Sequence, residues 1–233
     1  MNYIQRAQDL KEETVAHRRY FHTNAEVGLE TPKAVDYVME QLKKSGLSPE
    51  RCGHGVTAAI GTGGKTLLLR ADMDALPMGE ESGEPFACPT GTEAHVCGHD
   101  FHAAMLLTAA KILKENETAL KGTVRFMFQS AEETFEGAKD MIAHGILEGV
   151  DAALAFHVGP GKMPPGLFMY NAGGVMMACQ SGQHQDQQVK GEAVGKDQRQ
   201  GQNAPVAEPA PGDGVVPRFH DPPQERIDQQ IKP

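Results

Sequence analysis

The residues of this chain best equipped for chemistry lie between Gly91 and His102. The stretch reads G-T-E-A-H-V-C-G-H-D-F-H and holds His95, Cys97, His99, Asp100 and His102. Thiolate, imidazole and carboxylate bind borderline divalent cations, so metal binding is the chemistry to test first. The competing reading is a polar loop with a few satisfied histidines. A Cys-x-His pair alone does not decide between them, because a cage needs further donors from elsewhere in the chain. Three groups qualify: Asp72 and Asp74 in R-A-D-M-D-A-L-P, Glu132 and Glu133 in F-Q-S-A-E-E, and His157 in A-F-H.

The elements around these groups explain how they could meet. Leu67-Leu68-Leu69 is an apolar strand leading to the Asp72/Asp74 pair, and two acids at i and i+2 point to one side if strand geometry continues. Val124 to Gln129 is a strand by its branched and aromatic content and ends at the two glutamates. Val150 to Phe156 is a third strong strand, ending at His157. Between them the spacing predicts helices. One surface helix is expected from about residue 4 to 24. A second begins at Thr31-Pro32, with Thr31 as cap and Pro32 in its first turn, and ends at Gly46. A third, from about His99 to Glu115, is apolar nearly all round and therefore central and buried, with Cys97 and His99 at its deep end. A fourth runs from Gly137 to Gly145. Gly55 to Gly61 is a short strand, and Gly61-Thr62-Gly63-Gly64 leads directly into the next strand, so it is a turn and not a phosphate loop.

Strands alternating with helices predict an α/β fold of three layers, αβα. Such sheets collect ligands at the carboxyl edge of their strands. Three chemical groups arriving at that edge beside a Cys-x-His helix start decide in favour of a metal site. Tandem carboxylates suit a division of labour in which one holds metal while the other, aimed at the activated water, works as general base and then general acid. The donors suit Zn²⁺ or Mn²⁺, with Co²⁺ or Ni²⁺ possible. They outnumber the needs of one tetrahedral ion, so two ions roughly 3.5–4 Å apart fit best.

Composition narrows the partners. At 233 residues and a net charge of -9, with no basic stripe, the chain is not expected to bind nucleic acid. No apolar run approaches the roughly 18 residues of a bilayer span, and the first residues lack a secretory pattern, which predicts a soluble cytoplasmic protein without membrane attachment. Four scattered cysteines, Cys52, Cys88, Cys97 and Cys179, do not make a disulfide framework.

The motifs at 70–77, 95–100, 128–133 and 155–157, with Arg18 to His22 and Glu26 to Glu30, closely resemble the bacterial N-acyl-amino-acid amidohydrolase and hippurate hydrolase family. Plant auxin-conjugate hydrolases belong to the same group, within the aminoacylase and carboxypeptidase superfamily. Ala25 stands where that family usually has proline. The resemblance covers about residues 1–178 and implies the N-terminal portion of a metallopeptidase-like catalytic domain. It makes Cys97, His99, Glu133 and His157 ligands of two divalent metal ions, with Cys97 the bridge. Glu132 becomes the general base and acid, and Asp74 orients a ligand. His102 matches a family histidine, for which a structural hydrogen bond is the expectation. The implied reaction is hydrolysis of a small N-acyl amino acid, hippurate-like, to a carboxylic acid and a free amino acid.

After Ala178 the pattern changes. Residues 179–233 are rich in Gln, Pro, Gly and charge and poor in large apolar side chains, a composition that predicts disorder. The resemblance implies instead a lid and dimerisation domain with a Gly-His-Gly motif, and then a final histidine ligand. The expectation is therefore an incomplete catalytic domain followed by an aberrant, frameshifted tail. His184 and His220 sit in no ordered-looking context that would let them replace the missing ligand, and homodimerisation through a lid is not expected. Two readings follow: a metal-dependent amidohydrolase, or a catalytically inactive metal-binding fragment or interaction subunit of that family.

Overall fold

The computed structural model describes residues 1–159 and Gly166; the 179–233 tail, with Cys179, His184 and His220, lies outside the described residues. The helices are α1 (Tyr3–Asp9), α2 (Lys11–Thr23), α3 (Pro32–Lys44), α4 (His99–Glu115) and α5 (Gly137–Ala143). The strands are β1 (Glu50–Cys52), β2 (Gly55–Ile60), β3 (Thr66–Asp72), β4 (Thr123–Gln129) and β5 (Ala152–Ala155). They form one sheet in the order β1-β2-β4-β3-β5. β3, β4 and β5 run parallel, while β2 lies antiparallel to both β1 and β4.

Period-two alternation along β4 separates the two faces of the sheet. Val124, Phe126 and Phe128 point into a large core with Phe21 of α2, Val35, Val38 and Leu42 of α3, and Leu106, Leu107 and Ala110 of α4. Met127 points the other way, into a smaller cluster with Cys52, Leu68, Met141 of α5 and Ile146. Helices α2, α3 and α4 thus cover one face and α5 the other, which is the three-layer αβα arrangement that the sequence predicts. Phe126 and Phe128 are fully buried at the centre. Truncating such a phenylalanine to alanine costs about 3–5 kcal/mol.

Several expectations shift in detail. The single N-terminal helix is two, because the chain turns at Leu10, which leaves helical geometry at ψ 6° and buries its side chain. Thr31 does not cap α3 with its side chain. Its Oγ pairs instead with Ser130 Oγ at 2.6 Å, and the Glu26 carboxylate accepts from the first-turn N–H groups of Lys33 and Ala34. An acid at the positive end of a helix dipole does the work of the expected hydroxyl. Helix α4 is not buried all round, since Phe101 and Met105 are exposed. Strand β5 is shorter than expected and exposed along its whole length, one of the two edges of the sheet among the described residues. No helix among the described residues is long and apolar enough to cross a membrane.

At the rim of the large core, Tyr37 stacks on Tyr20 with ring centroids 3.6 Å apart, and its hydroxyl lies 2.9 Å from His17 Nδ1. Burial, helped by Tyr20, Glu40 and Glu13, pushes the Tyr37 hydroxyl up to about 12. An unfolded tyrosine ionises near ~10. Folding therefore keeps its full Tyr37 contribution below that pH and loses it as pH climbs from there toward about 12. Urea midpoints measured across this window should fall, and Tyr37→Phe should flatten the fall. An unchanged slope in the variant would contradict the assignment.

Candidate metal centre

The carboxyl ends of β3, β4 and β5 converge beside the first turn of α4. Asp72 ends β3 and Asp74 follows it, Glu132 and Glu133 follow β4, and His157 follows β5. His99 opens α4 directly after Gly98, whose φ of +99° lets the chain swing from the loop into the helix.

His99 is fully buried and is the hinge of the arrangement. Its Nδ1 lies 2.8 Å from the Asp74 carbonyl oxygen, which can only accept, so Nδ1 carries the hydrogen. In the neutral ring Nε2 then carries the lone pair, and it has no hydrogen-bond partner. It faces Asp72 Oδ2 at 3.8 Å, Glu132 Oε2 at 3.9 Å and Glu133 Oε1 at 3.8 Å. A lone pair ringed by carboxylate oxygens in a buried place is costly unless a cation sits among them. Burial lowers the His99 pKa, but the Asp74 hydrogen bond and the charges of Asp72, Asp74 and Glu133 outweigh it and raise it.

The other predicted donors surround the same point. Cys97 Sγ lies 3.4 Å from His157 Nε2, and His157 Nδ1 donates to the Val158 carbonyl at 2.7 Å. Candidate ligand atoms of Cys97, His99 and His157 lie within 4.8 Å of one another, as do those of His99, Glu132 and Glu133. His99 is common to both groups. Glu133 Oε1 is also buried without a partner. With two orphaned donors and adjoining thiol and imidazole groups, the residues fit a divalent cation. Burial pushes the Cys97 thiol up to about 12, with Glu133, Asp72 and Glu132 adding to it. A cation among them would reverse that balance, since a coordinating thiol gives up its proton.

Asp74 braces the cluster twice. Its carbonyl fixes His99, and its Oδ2 accepts the N–H of Glu133 at 3.1 Å. The rest of the Gly91–His102 stretch divides differently. Asp100 is fully buried, with its Oδ2 2.7 Å from both His22 Nδ1 and Arg18 Nε. His22 Nε2 reaches Glu80 at 2.9 Å, so Asp100 ties the start of α4 to α2 and to the loop that delivers Cys97. His95 is buried with an unpartnered Nδ1 and belongs to none of the ligand groups. His102 pairs with Asp72 Oδ1 at 2.6 Å, the structural hydrogen bond expected of it. Sequence reasoning missed Arg70, whose Nη1 lies 2.7 Å from Asp72 Oδ2, and it missed the Arg18–His22–Asp100 tie. Arg70 and Asp72 sit two apart on one strand face, a signal that was available. Nothing local links residue 22 to residue 100.

The residues matched by the model of peptidase family M20/M25/M40 are 68–227. The chain belongs to that family. It is 40% identical over 155 residues to the N-acetyl-L-cysteine deacetylase of Bacillus subtilis, covering 65% of this chain and 37% of the relative. It is 40% identical over 158 residues to an IAA-amino acid hydrolase of Arabidopsis thaliana, covering 66% of this chain and 36% of the relative. Among solved structures it resembles a dinuclear metal-binding peptidase of the M20 family from Bacillus subtilis. The TM-score is 0.64 at 34% identity, with 66% of this chain and 44% of that one covered. The chain thus spans little more than a third of the length of these two curated relatives. The family match runs past Ala178, into residues whose structure is outside the described set.

The loop carrying the two glutamates is held under strain. Ala131 and Phe135 flank them with φ of 50° and 59°, unusual for residues with a side chain. Gly137 closes the loop: a Cβ there would lie 1.5 Å from the Ser130 carbonyl oxygen. Gly137→Ala should therefore lower stability by more than about 2 kcal/mol in urea titrations. A change below about 0.5 kcal/mol, the range of an ordinary surface substitution, would show that the loop is not packed as described.

Proposed function

We propose that this chain carries most of the metal site of an amidohydrolase that cleaves the amide bond of N-acyl amino acids, hippurate-like compounds among them. The observation carrying this reading is the buried, unpartnered Nε2 of His99, with Glu132 and Glu133 after β4, His157 after β5 and Cys97 in the loop before α4 gathered about the same ring. The two curated relatives support the substrate class, because one is named as an N-acetyl-L-cysteine deacetylase and the other as an IAA-amino acid hydrolase. In this reading Cys97, His99, Glu133 and His157 hold two divalent cations, zinc or manganese by donor chemistry. Bound there, the cations would supply Lewis-acid polarisation of the acyl carbonyl and lower the pKa of water.

The chain's own residues do the rest. The Glu132 side chain is 35% exposed, open enough to reach a water and a substrate nitrogen. Its carboxylate takes the proton from the attacking water and returns it to the departing amine, so one group serves as base and then as acid. Asp74 keeps the His99 ring and the Glu133 backbone in place while that happens. We assign residues 1–178 to this catalytic portion and residues 179–233 to an aberrant segment standing where a lid and dimerisation domain would begin.

The second reading is a metal-binding fragment of the family that does not turn over substrate. Zinc or manganese content, measured together with release of amino acid from N-acetyl and N-benzoyl substrates, separates the two. Under the first reading the unsubstituted chain hydrolyses them, and Glu132→Gln keeps its metal while losing at least about 100-fold in rate. Bound metal with no turnover selects the fragment, and unchanged turnover in Glu132→Gln refutes the base assignment.

A further inference from the structure

We propose that His102 is a positioning residue of this site: its Nε2 accepts the backbone N–H of Val158 and so holds the strand end that presents His157 to Cys97 and His99. The inference rests on the metal-site reading above and goes beyond it in naming what keeps the most exposed ligand in place.

His157 needs such a device. Ladder pairing of β5 stops at Ala155, opposite Arg70, and β5 is exposed along its length. His157 itself is exposed, unlike His99. An exposed imidazole beyond the last ladder pair of an edge strand has many orientations open to it, and metal affinity falls when a ligand must be ordered at the moment of binding. The Val158 N–H lies 2.9 Å from His102 Nε2. The Val158 side chain lies over Gly98, where a Cβ would come within 2.4 Å of Val158 Cγ2. The Val158 carbonyl accepts from His157 Nδ1, which leaves His157 Nε2 directed at Cys97. One peptide segment is therefore pinned on His102 while it orients the ligand ring.

The tautomer of His102 follows from its other partner. Asp72 Oδ1, 2.6 Å from Nδ1, is an acceptor, so the ring hydrogen sits on Nδ1 and Nε2 is left as an acceptor. Asp72 is anchored in turn by Arg70, whose Nε donates to Gln129 Oε1 at 2.9 Å. The chain of contacts runs from β4 through β3 and α4 to the segment after β5. The same geometry answers the alternative that Asp72, His99 and His102, whose ligand atoms also lie within 4.8 Å of one another, hold a metal themselves. Both nitrogens of His102 are already engaged, and the group is buried throughout. His102 is therefore a brace and not a ligand.

Two amide substitutions divide the two bonds. Asn at 102 can place a donor where Nδ1 stood and keep Asp72, but it does not reach Val158. Gln extends to where Nε2 stood and can offer its oxygen to the Val158 N–H. Zinc titration of the full chain should show His102→Asn binding about 10- to 100-fold more weakly and His102→Gln restoring most of the loss. The Asn effect should disappear in a His157→Ala background, because the brace acts only through that ligand. Equal affinity of His102→Asn and the unsubstituted chain overturns the positioning role alone, as does an Asn effect that persists without His157. Absence of zinc binding by the unsubstituted chain overturns the metal-site reading, and the brace with it. Ring-nitrogen NMR of the unsubstituted chain tests the claim if His102→Asn fails to fold: Nε2 should be unprotonated and coupled to the Val158 amide, and a hydrogen on Nε2 refutes it.

Discussion

The interaction on which the site depends is the hydrogen bond from His99 Nδ1 to the Asp74 carbonyl. It fixes the imidazole in one tautomer and leaves a fully buried lone pair on Nε2 with carboxylates 3.8–3.9 Å away on three sides. Neither hydrogen bonding within the protein nor contact with bulk water relieves that arrangement. A divalent cation does so while satisfying the orphaned Glu133 oxygen as well. The cluster therefore fits a cation, and the same carboxylates raise the His99 pKa.

The sheet makes this possible. Parallel pairing of β3 with β4 and with β5 sets their carboxyl ends level, so groups up to 60 residues apart in sequence meet within a few ångströms. Alternation on β4 then locks the register, because a shift by one residue would drive Phe126 and Phe128 out of the main core. Both ends of the polar network use the same device: an acceptor on one ring nitrogen, the Asp74 carbonyl for His99 and the Asp72 carboxylate for His102, decides what the other nitrogen can do.

Much of this was legible in the sequence, for identifiable reasons. The bounds of α4, the start of α5 and the positions of β3 and β4 follow from apolar periodicity and from the glycines around them. The convergence of Asp74, Cys97, His99, Glu132, Glu133 and His157 follows from placing each after a strand or at a helix start. What the sequence hid was long-range. Glu26 capping α3, Arg18 and His22 holding Asp100, and Val158 reaching His102 each join elements by a side chain whose local context carries no sign of its partner. The break at Leu10 was hidden for another reason: the burial of its side chain outweighs a local pattern that reads as one continuous helix.

Cobalt substitution tests the central claim most directly. Adding Co²⁺ to the chain should produce a thiolate-to-cobalt charge-transfer band that saturates and that disappears in Cys97→Ser, because the account puts the Cys97 sulfur on the ion beside His99 and His157. Saturable cobalt binding with no such band, or a band that survives in Cys97→Ser, would contradict it.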